Sequence, residues 1–179
     1  MYTLSAMATL RADQVTTLCA AVVADCACEG LRRAARGISR VYGSALAGLG
    51  LTPTQLAILV ATRVRGSVPL SRLAEGLRLD RTSLYRAIRP LQRKGWIRIL
   101  PGRTQRERVA TVTAKGERIL QEALPIWERT QERFVEAVGP RAWVALSSAL
   151  KQVVSVAEVL ESGFGARHRA PRSRLPARA

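Results

Sequence analysis

Between residues 81 and 93 the sequence sets four arginines, two hydroxyls and a tyrosine with no acid among them: Arg81, Thr82, Ser83, Tyr85, Arg86, Arg89 and Arg93. Leu84, Ile88 and Leu91, spaced four and three apart, form the apolar stripe of a helix, so the polar groups take its wet side. Guanidiniums and hydroxyls hold phosphates and read base edges, and an α-helix fits the major groove of duplex DNA. A second basic group, Arg103 and Arg106, falls in the short loop Pro101-Gly102-Arg103-Thr104-Gln105-Arg106. An arginine on such a loop can enter a narrow minor groove, where the negative potential is strongest. The plain alternatives are a solvated amphipathic helix and a solvated turn. The absence of acids argues against the first, since a wet helix face ordinarily mixes Glu with Lys and Arg.

The charge of the whole chain points the same way. Its 179 residues include 29 Lys and Arg against 13 Asp and Glu, a formal charge of +16. Residues 81–108 hold nine basic residues and one acid, Glu107, and residues 162–179 hold five arginines and no acid. Charge gathered into two short segments suits a polyanion partner better than a uniform solvated shell. Other chemistries have little to stand on. The single histidine, His168, lies in the Arg-rich C-terminal segment, and the three cysteines are Cys19, Cys26 and Cys28. A histidine-based hydrolase or a zinc finger is excluded on that inventory, and neither a metal nor a cofactor is expected. A thiol peroxidase built on Cys28 would lack a base, so the chain is not read as an enzyme. No run of about 18 consecutive apolar residues is present, and Leu18 to Ala24 is cut off by Asp25. The expectation is a cytoplasmic protein with no membrane partner.

These groups need a frame, and the spacing supplies one. Leu31, Ala34, Ile38, Val41, Ala45 and Leu49 make a helical seam that ends at Gly48-Leu49-Gly50. Thr52-Pro53 opens a second helix with an N-cap and a proline in the first turn, and Pro69-Leu70-Ser71 starts a short third one. Asp80 caps the helix from Arg81 to Lys94, closed by Gly95, with Pro90 expected to loosen its last turn. Trp96 to Leu100 and Arg106 to Val112 read as antiparallel strands. Thr113 caps a long helix that Pro125 should kink, and Gly139-Pro140 separates it from a last helix ending near Glu161. The fold expected is mainly α with a small β-hairpin wing, a winged helix-turn-helix flanked by N- and C-terminal dimerisation helices. Its divisions are an N-terminal extension (1–27), a first dimerisation helix (28–50), the DNA-binding domain (51–112), C-terminal dimerisation helices (113–162) and a basic, disordered tail (163–179).

The run from Leu70 through Asp80-Arg-Thr-Ser-Leu-Tyr-Arg86, with Leu91-Gln-Arg-Lys-Gly-Trp-Ile-Arg98 and Val112-Thr-Ala-Lys-Gly-Glu-Arg118, resembles the MarR family of bacterial transcriptional regulators. The resemblance spans about residues 28–160. It implies that the fourth helix and the wing bind DNA and that the terminal helices form a homodimer. It departs from the family at two places. Thr104 stands where the wing usually opens with an aspartate, although the following arginine is kept as Arg106. Arg78 stands at a turn position that is commonly glycine. The resemblance thus leaves open what orients the wing.

The last helix supports the dimer independently. Trp143, Leu146, Leu150, Val153, Ala157 and Leu160 follow helical spacing, and Val144 to Leu160 contains only Lys151 and Glu158 as charges. A helix apolar on more than one side needs cover from a second chain or from a large core. A two-fold dimer would set two recognition helices about one DNA turn apart on a pseudo-palindromic operator. The expected function is a sequence-specific transcriptional regulator, a repressor, released by a small aromatic or anionic effector or by cysteine oxidation. Cys28, 14 residues before Tyr42 and 27 before Gln55, matches the reactive cysteine of the family's organic-peroxide-sensing branch, with Tyr42 matching its hydrogen-bonding tyrosine; Arg32 and Pro53 stand where that branch has aromatics. The alternative is a nonspecific architectural DNA- or RNA-binding protein that uses its basic segments only to displace counterions.

Overall fold

The computed structural model describes residues 10–104 and 107–167, and the side chains of all of these except 164–167. The chain divides into two compact units, one up to Thr130 and one from Gln131 onward.

The first unit opens with two helices, α1 (Ala12–Asp25) and α2 (Ala27–Leu46), the latter followed by a 3-10 turn at Ala47–Leu49. Gly50 then turns the chain at φ 61°. Helix α3 (Pro53–Arg65) begins on a complete capping box: Gln55 N donates to Thr52 Oγ1 (3.2 Å), and Thr52 N donates to Gln55 Oε1 (3.0 Å). Strand β1 (Ser67–Pro69), helix α4 (Leu70–Gly76), helix α5 (Arg81–Arg93), and strands β2 (Ile97–Pro101) and β3 (Arg108–Val112) follow. The sheet is antiparallel with β3 central, Val68 opposite Ala110 and Ala110 opposite Ile99. Helix α6 (Ala114–Val138) runs from the first unit into the second, which it shares with α7 (Pro140–Arg167).

The winged helix-turn-helix expected from the spacing is present, and its core is the predicted stripe. Leu84, Ile88 and Leu91 of α5 are buried with Ile58 and Leu59 of α3, Leu73 of α4, Ile97 of β2 and Ala110 of β3. Each large aliphatic side chain removed from water in this way contributes roughly 1.5–3 kcal/mol, so α5 is held firmly by one face and presents the other. The start of α6 is keyed to the sheet. Thr113 Oγ1 caps it by accepting from Gly116 N (3.0 Å) while donating to Gly95 O (2.6 Å). A Cβ on Gly116 would collide with the Trp96 carbonyl and with Val112, which accounts for the glycine of Thr113-Ala-Lys-Gly116.

Several expectations need correction. The extension 1–27 contains a helix, α1, which has no buried residue and so leaves no core stripe to read. The expected hairpin of β2 and β3 is present and gains a third strand, because Val68 of the three-residue β1 pairs with β3 and is buried. Pro90 and Pro125 both lie inside their helices, α5 and α6, and neither ends its helix. Helix α7 runs to Arg167, beyond the expected end near Glu161, because neither Gly163 nor Gly165 interrupts it; residues 168–179 of the expected tail lie outside the described residues. Arg78, at the turn position that is commonly glycine in the family it resembles, adopts φ 53°, the left-handed conformation that favours glycine. Finally, the test of consecutive apolar residues missed two helical stretches, Ala12–Leu49 and Pro140–Gly163. Each contains an 18-residue window of mean hydropathy 1.3, long and apolar enough to cross a membrane by length and composition. Scattered charges break a run without pulling a long window below that average.

Candidate nucleic-acid interface

Helix α5 begins on Asp80, whose carboxylate closes the first turn. Oδ1 accepts from Ser83 N (2.8 Å) and Oδ2 from Ser83 Oγ (2.6 Å). The Ser83 hydroxyl first, and the Ser83 amide after it, hold the Asp80 carboxyl below its ordinary range. A depressed folded-state value stabilises the helix above the ordinary Asp pKa, and that contribution is lost as pH falls through the depressed value. We therefore expect Asp80→Ala to lower the thermal midpoint by a few degrees at neutral pH. The same variant should flatten the acid limb of a stability-versus-pH curve. Thermal melts across pH 2 to 7 check both outcomes.

The cap changes which side chains are available. Ser83 is half-buried and its hydroxyl proton is committed to Asp80. Tyr85 is also half-buried, packed against the core, with the Arg81 guanidinium 5.7 Å from its ring centroid. Arg81, Thr82, Arg86, Arg89 and Arg93 are exposed. The structure thus brings five of the predicted α5 groups to one solvent face and gives Ser83 and Tyr85 supporting positions behind it. Arg103 is exposed at the wing tip, whereas Arg106 lies outside the described residues.

Two residues that sequence reasoning left aside join this surface. Ser71 and Arg108 line a hollow of about 280 Å³ with Arg81, Tyr85 and Glu107, where α4, α5 and the wing meet. Ser71 gives no sequence signal beyond opening a helix, and Arg108 stands out only as one more charge of the basic segment 81–108. Arg108 donates from Nη1 to the Glu107 carbonyl (3.1 Å). Lys94, counted within the basic segment, serves the fold instead: its Nζ donates to Gly50 O (2.8 Å) and lies 4.3 Å from the Trp96 ring centroid.

The signal-sensing candidates are placed differently. Cys28 is exposed near the start of α2, and Tyr42 is half-buried toward its end. Fourteen residues of one continuous helix separate them, about 21 Å of rise, so the structure does not bring them together within the chain. Burial raises the Tyr42 phenol above its ordinary pKa. Tyr42 instead borders a cavity of about 320 Å³ between α2, α3 and α6, with Leu56, Ala57, Val60, Leu124 and Trp127 among its walls. Among the described residues, no group of three or more His, Cys, Asp or Glu is placed to hold a metal ion.

The model of the MarR family matches residues 51–103. The M. tuberculosis transcriptional regulator MosR, solved in complex with DNA, is 32% identical over 76% of this chain and 98% of its own, with a TM-score of 0.70. An E. coli MarR variant complexed with operator DNA has the same fold at 19% identity, covering 74% of this chain and 96% of its own, TM-score 0.67. The transcriptional repressor CouR bound to a DNA duplex does so at 21% identity, covering 74% and 95%, TM-score 0.68. No curated protein matches the chain by sequence.

Proposed function

The chain belongs to the MarR family of transcriptional regulators, and from that premise we propose that it binds an operator in duplex DNA as a homodimer and represses transcription there. The observation that carries this reading is the acid-free exposed face of α5, fixed on a buried stripe and flanked by a basic wing. Arg81, Thr82, Arg86 and Arg89 would face the major groove, with Arg103 and Arg106 of the wing toward the minor groove. Ser83 and Tyr85 act at the same site by shaping the first turn and steadying Arg81. Such a protein works where the chromosome is, in the cytoplasm, and the Arg-rich segment 163–179 would add phosphate contacts. The test is selection from a random-sequence DNA pool. A regulator enriches a pseudo-palindrome and prefers it to a scrambled duplex by roughly 10³-fold or more, whereas an architectural protein shows little preference.

The homodimer rests on faces that a single chain leaves in water. Leu31 and Val41 of α2, and Leu146, Leu150, Val153 and Leu160 of α7, are exposed. They belong to the seams whose spacing asked for cover, and a second copy supplies it. We read the apolar surface of the two membrane-length stretches in this way too.

For the signal, the cavity beside Tyr42 favours an effector over oxidation. Among the described residues no cationic side chain lines it, and of those residues only Tyr42 and Trp127 bring side-chain polar atoms to it. That narrows an aromatic or anionic effector to an uncharged aromatic one. Filling the cavity with Ala57→Trp should abolish release of DNA by such compounds while leaving DNA affinity within about twofold. The redox reading of Cys28 requires Tyr42 from a second copy. Organic peroxide should then release DNA from the wild type and not from Cys28→Ser; equal release from both would remove Cys28 from the account.

A further inference from the structure

The family's wing aspartate is replaced here by Thr104, and among the described residues of the wing one residue ties Gly102, Arg103 and Thr104 to the returning strand. Glu107, half-buried just before the returning strand, accepts from Arg103 N through Oε2 at 2.7 Å. Its backbone completes the turn: Gly102 N donates to Glu107 O (3.0 Å) and Glu107 N donates to Thr104 O (3.1 Å). The carboxylate lies so close over Gly102 that a Cβ there would overlap its oxygen and its Cγ. Gly102 is thus the gap into which the Glu107 side chain folds. Glu107 also borders the hollow shared with Arg81 and Arg108, so the brace stands where the wing meets the recognition helix.

An acid on a DNA-facing surface is costly, because it repels phosphate and offsets one of the basic residues around it. Glu107 is the one acid in the stretch 81–108. Its placement, turned inward onto the Arg103 amide, sets it apart from a solvated acid that happens to lie near the site. We propose that Glu107 is the positioning residue of the wing: its carboxylate fixes the tip that presents Arg103 to DNA, a task that only a hydrogen-bond acceptor of this reach performs. The proposal rests on the wing's role in DNA binding inferred above.

Charge and hydrogen bonding predict opposite signs, and that separates the brace from a bystander. The measurement is the dissociation constant of the full-length chain for a duplex that the wild type enriches from a random pool, and for a scrambled duplex of the same composition. The variants are Glu107→Gln, Glu107→Ala and Gly102→Ala. Removing an idle acid would tighten binding of both duplexes in both Glu107 variants. A brace gives a split: Glu107→Gln keeps the acceptor and holds or improves affinity, whereas Glu107→Ala weakens the enriched duplex by roughly tenfold, the scale of one misplaced groove contact. Gly102→Ala, which displaces the same side chain, should match Glu107→Ala, and all three variants should melt with the wild type because the tip lies outside the core. Equal behaviour of the Gln and Ala variants, or loss in Glu107→Ala explained by a lowered melting temperature, overturns the brace while leaving DNA binding intact. A wild type with no preference between the duplexes would overturn the DNA reading itself, and the brace with it.

Discussion

Replacing Arg86 and Arg89 together with alanine should weaken binding of the enriched duplex on the order of a hundredfold, since each groove or phosphate contact is worth roughly 1–3 kcal/mol. Both side chains are exposed on α5, one helical turn or less apart, and neither is needed to bury Leu84, Ile88 or Leu91. The thermal midpoint should therefore stay near the wild-type value, as exposed substitutions to a good helix former usually leave it. The scrambled duplex separates the two kinds of contact. Arginines that read bases lose affinity mainly for the enriched sequence, whereas arginines that hold phosphate lose it for both and flatten the dependence on salt. Binding titrations at several salt concentrations distinguish them. Unchanged affinity in the double variant would remove α5 from the interface.

The second large effect concerns assembly. Leu150→Glu combined with Val153→Glu places two carboxylates on the apolar face of α7, where both parent side chains are exposed in the single chain. A lone chain should tolerate that change, whereas a dimer seam would have to bury two unpaired charges. Sedimentation should show monomers, and operator affinity should fall roughly a thousandfold as the second half-site contact ceases to be intramolecular. Cutting the chain after Val138 should give the same monomeric state. A double variant that remained dimeric would assign the interface elsewhere, with α1 and α2 the next candidates.

Much of this was legible in the amino-acid sequence because the relevant signals are local. Asp80, Thr52 and Thr113 announced their helices through capping chemistry, and all three make the hydrogen bonds that such caps require. The stripe of α5 was likewise written in its spacing. What stayed hidden depends on contacts distant in sequence or on the absence of any. Strand β1 is too short to have a period and exists because β3 pairs with it. Helix α1 packs nothing away, so no buried stripe could reveal it. Within the site, spacing could tell that Ser83 and Tyr85 lie off the core stripe, but only geometry shows Ser83 turned back onto Asp80 and Tyr85 under Arg81. Glu107 escaped notice for a related reason: a single acid in a basic segment looks like a charge to subtract until its carboxylate is seen on the Arg103 amide.

The central claim is that the exposed side of α5 sits in the major groove, twice per dimer. Methylation protection at guanine N7 on the enriched duplex tests it most directly, because that atom lies in the major groove. Two protected tracts centred about one helical turn apart are predicted, both lost in the Arg86→Ala, Arg89→Ala double variant. Full binding with guanine N7 uniformly open to methylation would contradict it.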